Sequence, residues 1–249
     1  MEPNHKVQIN GDWEIASYER RAGKSLYFHK TLLDGKQGPD HVVNGSEWLV
    51  WNFLEVNCDL VLGHSQHSLR AYAGLRVYTP PFSIVAYDKG PGSFTVEAFG
   101  TPTPTEMDLG ENILAMTGPM GPLPVTIKDL IPHAKSLSVI QKLEPAATSL
   151  ARRCRQKISE TFRQNISLSE IADALKSSNG VLSRQFKASY SISPSIYRQR
   201  LRVVDALGQM FLNDRNVEQA SQFVGYQSRS KFNQVFQQTF LAEPSRYLT

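Results

Sequence analysis

The last eighty residues of the chain repeat themselves, and that repeat limits the fold more than any other feature. Shifted by fifty positions, Leu182 falls on Phe232, Phe186 on Phe236, Pro194 on Pro244 and Tyr197 on Tyr247. Shifted by forty-nine, Leu168 falls on Val217, Ile171 on Ala220 and Leu175 on Val224, so one extra residue sits in the second copy's turn. An internal repeat built from matched apolar positions means one supersecondary unit used twice. In each copy a short helix (Leu168 to Leu175; Val217 to Val224) runs into a turn, and a second helix begins at a serine able to cap free N–H groups, Ser178 or Ser228. Helix, tight turn, helix is a shape whose second helix can lie in a DNA major groove.

The second helices are two-faced. In copy two Phe232, Val235 and Phe236 share one side, which throws Arg229, Asn233, Gln234 and Gln237 to the other side or its flank, with Ser230 and Lys231 alongside. In copy one Val181, Leu182 and Phe186 face inward and leave Asn179, Ser183, Arg184 and Lys187 outward, beside Gly180, which has no side chain to offer. Arginine forks onto guanine, Asn and Gln pair with adenine, and Lys and Ser anchor phosphate oxygens. The candidate DNA-facing set is Ser178, Asn179, Gly180, Ser183, Arg184 and Lys187 in copy one, and Ser228, Arg229, Ser230, Lys231, Asn233, Gln234 and Gln237 in copy two. Between the copies, Pro194 to Leu212 carries Tyr197, Leu201, Val204, Leu207 and Phe211 at helical intervals. A helix of that length spans about 27 Å. It suits two reading heads set nearly one DNA turn, about 34 Å, apart. Ahead of the first copy, Leu150, Cys154, Ile158 and Phe162 form an apolar stripe on a helix whose outer face holds Arg152, Arg153, Arg155 and Lys157.

These residues bring a family into view. Residues 148–249 resemble the DNA-binding domain of the AraC/XylS family of bacterial transcription regulators, through LSEIADAL, LSRQFK, SPSIYRQRLR, ASQFVGYQSRSKFNQVF and EPSRYL. The resemblance implies an activator in preference to a repressor, one that works with RNA polymerase; the lack of a membrane-span run and of signal-peptide order makes a cytoplasmic protein the expectation. The resemblance also implies base contacts from Gly180, Ser183 and Arg184 in one copy and from Arg229, Lys231, Asn233 and Gln234 in the other. The family usually has glycine where this chain has Ser191 and Leu241, and Gly180 offers nothing where relatives place a base-reading side chain. Copy one is therefore expected to read fewer bases, leaning on phosphates and DNA shape.

Charge divides the chain in the same place. Residues 1–149 hold 12 Lys and Arg against 16 Asp and Glu, net −4; residues 150–249 hold 15 against 7, net +8. A basic module on a mildly acidic one fits a nucleic-acid reader with something attached. The front carries short β-branched and aromatic segments, Trp48 to Leu54, Leu75 to Tyr78, Phe82 to Tyr87 and Ser93 to Phe99, separated by Gly, Pro, Asn and Asp. The expected class is α+β: a β-rich barrel or sandwich over residues 1–133, a connecting helix and linker over 134–146 (Leu137, Ile140 and Leu143 at helical spacing), and an all-α domain over 147–249 with two helix-turn-helix units on a linker helix. In relatives of this layout the front is often a small cupin-like barrel that binds a small molecule or a regulatory protein and controls dimerisation, which leaves effector, partner and a homodimer open here.

Other chemistries find little support. His64 and His67, in GHSQH, are the nearest approach to a cupin metal set, but three apart on one strand they would diverge, and no third ligand is placed; no metal or cofactor is expected. No G-x-S-x-G, phosphate-cradling glycine loop or Cys/His nucleophile pair is present, so no catalytic residue is assigned; a metal-dependent cupin enzyme fused to a DNA-binding domain is the alternative. Trp13, Trp48, Trp51, Tyr78 and Tyr87 are candidates for an effector pocket, with core packing the simpler role. Cys58 and Cys154 are too few for a disulfide framework, and no run reaches the length of a membrane span or has the order of a signal peptide.

Overall fold

A computed structural model describes residues 5–9, 13–18, 25–32, 38–64, 67–101, 113–117, 138–143, 147–240 and 242–247. The chain divides into two compact units, residues 1–144 and 145–249.

The first unit is a single antiparallel sheet bent into a half-barrel. Its strands are β1 (His5–Ile9), β2 (Trp13–Tyr18), β3 (Ser25–Leu32), β4 (Gly38–Val43), β5 (Trp48–His64), β6 (His67–Arg70), β7 (Arg76–Thr79), β8 (Ile84–Thr101), β9 (Leu114–Thr117) and β10 (Ser138–Lys142). They lie in the order β1-β2-β3-β8-β5-β7-β9-β10, with β4 against β8 and β6 against β5. Two long strands form its spine. β8 meets β4 along its first half and β3 along its second, while β5 meets β7 early and β6 late. Bulges between Phe53 and Glu55 and between Cys58 and Leu60 bend β5 enough to serve both. The segments Phe82 to Tyr87 and Ser93 to Phe99, expected as separate strands, are joined through Lys89-Gly90-Pro91-Gly92 into one. Glycine permits this: Gly92 has φ +106, and a Cβ there would stand 2.2 Å from the Asn57 carbonyl oxygen. An apolar cluster of Phe53, Leu60, Leu62, Leu75, Val77, Phe94, Val96 and Ala115 lies on the sheet, with Trp51 and Tyr87 packed against it.

The connecting helix expected over residues 134–146 is corrected by this unit. Ser138–Lys142 is a strand paired with β9, with a register shift between Val139 and Gln141 that leaves Ile140 as the extra residue of a bulge. Val139 and Ile140 are β-branched and favour extended backbone. A bulge shifts face parity by one, so a three-residue apolar spacing that reads as helical also fits an irregular strand.

The second unit is helical: α1 (Ser149–Thr161), α2 (Leu168–Ala174), α3 (Asn179–Tyr190), α4 (Pro194–Leu212), α5 (Val217–Phe223) and α6 (Arg229–Phe240), then a 3-10 turn at Pro244–Tyr247. Every helix starts on a side-chain cap. The hydroxyls of Thr148, Ser167, Ser178, Ser193 and Ser228 and the Asn216 amide oxygen each accept an N–H three residues on. α2 and α5 add the reciprocal bond of a capping box, from Glu170 and Gln219. The repeat reappears in the rings: Phe186 lies 4.8 Å from Tyr190 and 5.6 Å from Tyr197, and Phe236 lies 4.7 Å from Phe240 and 5.2 Å from Tyr247. Cys154 is fully buried in α1, which pushes its thiol pKa up to about 12. Val181, expected to face inward, is instead 37% exposed. No described helix is long and apolar enough to cross a membrane.

Candidate nucleic-acid interface

Each helix pair offers the exposed side of its second helix. In α3, Ser178, Asn179, Gly180, Arg184 and Lys187 are exposed and Ser183 is half-buried. In α6, Ser228, Arg229, Ser230, Lys231, Gln234 and Gln237 are exposed. Thus α3 packs on α1, α2 and α4, and α6 on α4, α5 and the 3-10 turn, while their polar faces stay clear.

Several candidates already have structural work. Ser178 and Ser228 hold their helix starts by accepting from the Val181 and Lys231 N–H groups, which leaves each hydroxyl proton to donate to a phosphate oxygen. Lys231 Nζ donates to Gln234 Oε1 at 3.0 Å, and Ser183 Oγ donates to Asn179 Oδ1 at 3.4 Å, pre-aligning each pair along its helix. Asn233 differs from its neighbours: it is half-buried, and its Oδ1 is shut from solvent with no hydrogen-bond partner. At Gly180 a Cβ would meet nothing within 4 Å, so the site has room for a side chain it lacks.

The two turns share an unusual backbone. Lys176 (φ 54) and Gly225 (φ 86) occupy equivalent positions, both left-handed. Only Gly225 is pressed against another segment: its Cβ would lie 2.2 Å from the Arg163 carbonyl oxygen. Ser191, where the resembling family usually has glycine, is also left-handed at φ 61, capping α3. Leu241 lies outside the described residues.

Sequence reasoning missed a basic network beneath these helices. Arg163 Nε and Nη2 donate to Asp205 Oδ2 and Oδ1 at 2.7 and 2.9 Å, a bidentate pair with the carboxylate buried. Arg198 and Arg202 on α4 reach carbonyls of the α1–α2 segment. Burial lowers the pKa of both guanidinium groups, and for Arg202 the neighbouring Arg198 charge adds to it. Arginines four apart in SPSIYRQRLR were the visible signal, but nothing in a sequence marks the carbonyls they meet.

In the sheet unit, Trp48 and Tyr78 are buried, Trp51 donates from Nε1 to Thr79 Oγ1 at 3.1 Å, and the Trp13 side chain lies outside the described residues. Asn52, on β5, donates to Glu97 Oε1 at 3.0 Å beside the buried Arg76. His64 and His67 are partners across the β5–β6 hairpin rather than members of one strand, which replaces the single-strand geometry assumed for them. Among the described residues no group of three or more His, Cys, Asp or Glu is placed to hold a metal ion.

Comparison with known proteins bears on both units. Residues 171–249 match the family model described as "Helix-turn-helix domain". A search of curated proteins returned no match. Among solved structures, ToxT from Vibrio cholerae bound to (E)-4-(8-methylnaphthalen-1-yl)but-3-enoic acid aligns at 11% identity over 90% of this chain and 98% of that one, with a TM-score of 0.56. Wild-type ToxT with an unsaturated fatty acid bound aligns at 14% identity over 100% of this chain and 96% of that one, TM-score 0.51. The C-terminal domain of AraT, a response regulator from Geobacillus stearothermophilus, aligns at 25% identity over 41% of this chain and 86% of that domain, TM-score 0.40. The ToxT alignments place the whole chain in one known two-part fold.

Proposed function

We propose that this chain, which carries an AraC-type DNA-binding helix-turn-helix domain in residues 171–249, is a sequence-specific transcription regulator controlled through its N-terminal sheet unit, and not an enzyme. One observation carries the reading: two capped helix pairs of the same build, joined by one continuous helix, each present an exposed polar second helix. In the bound state α3 and α6 enter adjacent major grooves. Arg184, Arg229 and Gln234 reach base edges, and Lys187, Lys231 and the two cap serines hold phosphates. The regulator acts in the cytoplasm and, as the family resemblance implies, is an activator working through RNA polymerase. Selection of duplexes from a random pool by the purified full chain tests the DNA reading; a pool that stays random after repeated rounds sinks it.

A second observation favours a chemical class for the effector. Lys89 is 2% exposed, and among the described residues its Nζ has one partner, the Gly90 carbonyl at 3.2 Å. Its cross-strand partners are Leu60 on β5 and Gly38 on β4, which sets it on the same sheet face as Leu60, Leu62 and Tyr87. An ammonium buried on an apolar face is costly until an anion joins it. The effector is an apolar carboxylic acid, its acid group on Lys89 and its body on the apolar cluster; the ToxT structures hold a fatty acid and a naphthyl butenoic acid. Oleic acid is expected to raise the melting temperature of the wild-type protein and to leave Lys89→Met unchanged, with oleic acid methyl ester inert towards both. An equal shift for the acid in both proteins removes Lys89 from the site.

A further inference from the structure

One side chain bonds segments that belong to both helix pairs. From α4, Arg202 donates from Nε to the Phe162 carbonyl, from Nη2 to Gln164 O at 2.9 Å and from Nη1 to Gly225 O at 3.1 Å. Phe162 closes α1 and Gln164 follows it, ahead of the first pair; Gly225 is the turn of the second pair. One turn earlier on α4, Arg198 donates to Ile166 O in the same α1–α2 segment.

Other contacts tighten the same junction. Arg163 bonds Asp205 of α4 while its guanidinium lies 4.7 Å over the Phe223 ring at the end of α5, and its carbonyl oxygen abuts Gly225. Arg202 in turn lies 5.5 Å over the Tyr226 ring. Helix-end carbonyls lack intrahelical donors and carry the negative end of the helix dipole, so a cation with several N–H groups satisfies them best. A guanidinium holds its donors in one rigid plane; three carbonyls bound to it are fixed in angle as well as distance, which a flexible ammonium does not achieve.

We propose that Arg202 is a positioning residue for two-site reading: by clamping the α1–α2 segment of the first helix pair to the α5–α6 turn of the second, it fixes the distance and rotation between α3 and α6. The domain is thereby restricted to DNA whose two half-sites stand at one spacing. This inference rests on the reading of the unit as a double-headed DNA binder. Arg202 itself touches no DNA.

Duplexes selected from a random pool by the full-length wild-type chain should carry two half-sites at a single spacing. Arg202→Ala should select the same half-sites at several spacings, bind an isolated half-site as tightly as wild type, and bind the wild-type bipartite site about tenfold more weakly, because rigid linkage of the heads is lost. An unchanged single spacing overturns the proposal, as does an equal loss on isolated half-sites and bipartite sites, which marks mere unfolding of the reading heads. If circular dichroism shows Arg202→Ala unfolded, Arg202→Lys, which keeps the charge without the fork, is the deciding variant: broadened spacing supports the clamp and unchanged spacing overturns it. A wild-type pool with no enriched sequence removes the DNA reading and the clamp together, an outcome distinct from enriched half-sites whose spacing ignores Arg202.

Discussion

The two helix pairs share a capping box on the first helix, a serine cap on the second, similar ring stacking and a left-handed residue at the same place in the turn, yet their sequences treat that residue differently. Copy one places Lys176 there at φ 54 and copy two places Gly225 at φ 86. Backbone conformation alone does not demand glycine, since Lys176 adopts it. The difference is packing: a Cβ on Gly225 would collide with the Arg163 carbonyl of the α1–α2 segment, so copy two's turn is an inner joint. A repeat conserves the shape of each unit, and the contacts between units decide which residues each copy tolerates.

That comparison breaks most visibly at the turn. Gly225→Ala combines left-handed strain of about 1–2 kcal/mol with overpacking of about 1–3 kcal/mol, so it should destabilise the C-terminal unit by several kcal/mol. Lys176→Gly relieves the same strain without a clash and should raise stability by about 1 kcal/mol. Urea unfolding of the two variants, with the midpoint compared at constant slope, checks both signs. Equal effects at the two turns would mean that packing at Gly225 contributes nothing.

A smaller effect separates the reading faces. α6 presents Arg229, Lys231, Gln234 and Gln237, whereas α3 has Gly180 and the apolar Val181 exposed in its first turn. Arg229→Ala or Gln234→Ala should therefore cost about 1–3 kcal/mol of discrimination between selected and scrambled duplexes. Lys187→Ala in α3 should weaken both duplexes alike and reduce the slope of log affinity against log salt by about 1. Asn233→Ala should leave discrimination intact, because its amide oxygen already points away from solvent. Titrations by fluorescence anisotropy at three salt concentrations separate these outcomes. A uniform loss from Arg229→Ala would reassign that residue to phosphate.

How much of this was legible depends on whether a feature is a property of side-chain order or of meeting partners. The repeat was readable because Phe186 and Phe236, with Tyr197 and Tyr247, must each fill the same wedge between helices, and bulk at a fixed spacing is visible in sequence. The exposed polar faces followed from the same spacing. By contrast, β10 read as helix because the bulge at Ile140 lets a strand carry apolar residues three apart. The continuous β8 read as two strands because Lys89-Gly90-Pro91-Gly92 has the composition of a turn, while the pairing with β5 that extends it is a long-range event. The clamp was hidden for a related reason. Arg202 binds backbone carbonyls, and every residue has one, so no residue type at positions 162, 164 or 225 announces the contact. Nothing in the sequence marks Lys89, since burial of a lysine is set by its cross-strand partners Leu60 and Gly38 and not by its own neighbours.

The smallest expected effect concerns the space at Gly180. It lies in the first turn of α3, with nothing within 4 Å of where a Cβ would stand, so substitution there meets no steric opposition. Glycine is a poorer helix former than alanine by up to about 1 kcal/mol, and an end position feels part of that, so Gly180→Ala should stabilise the unit by about 0.5 kcal/mol. A methyl group carries no hydrogen bond, so discrimination among bases should not change. Gly180→Asn adds an amide on the same exposed face, and if α3 lies in a major groove it should sharpen the base preference at one position of the copy-one half-site, towards adenine. Selection with the Asn variant reads this directly. A sharpened position within the copy-one half-site would show that copy one reads weakly for want of a side chain; an unaltered preference would mean that α3 sits too far from the base edges for any residue at position 180 to matter.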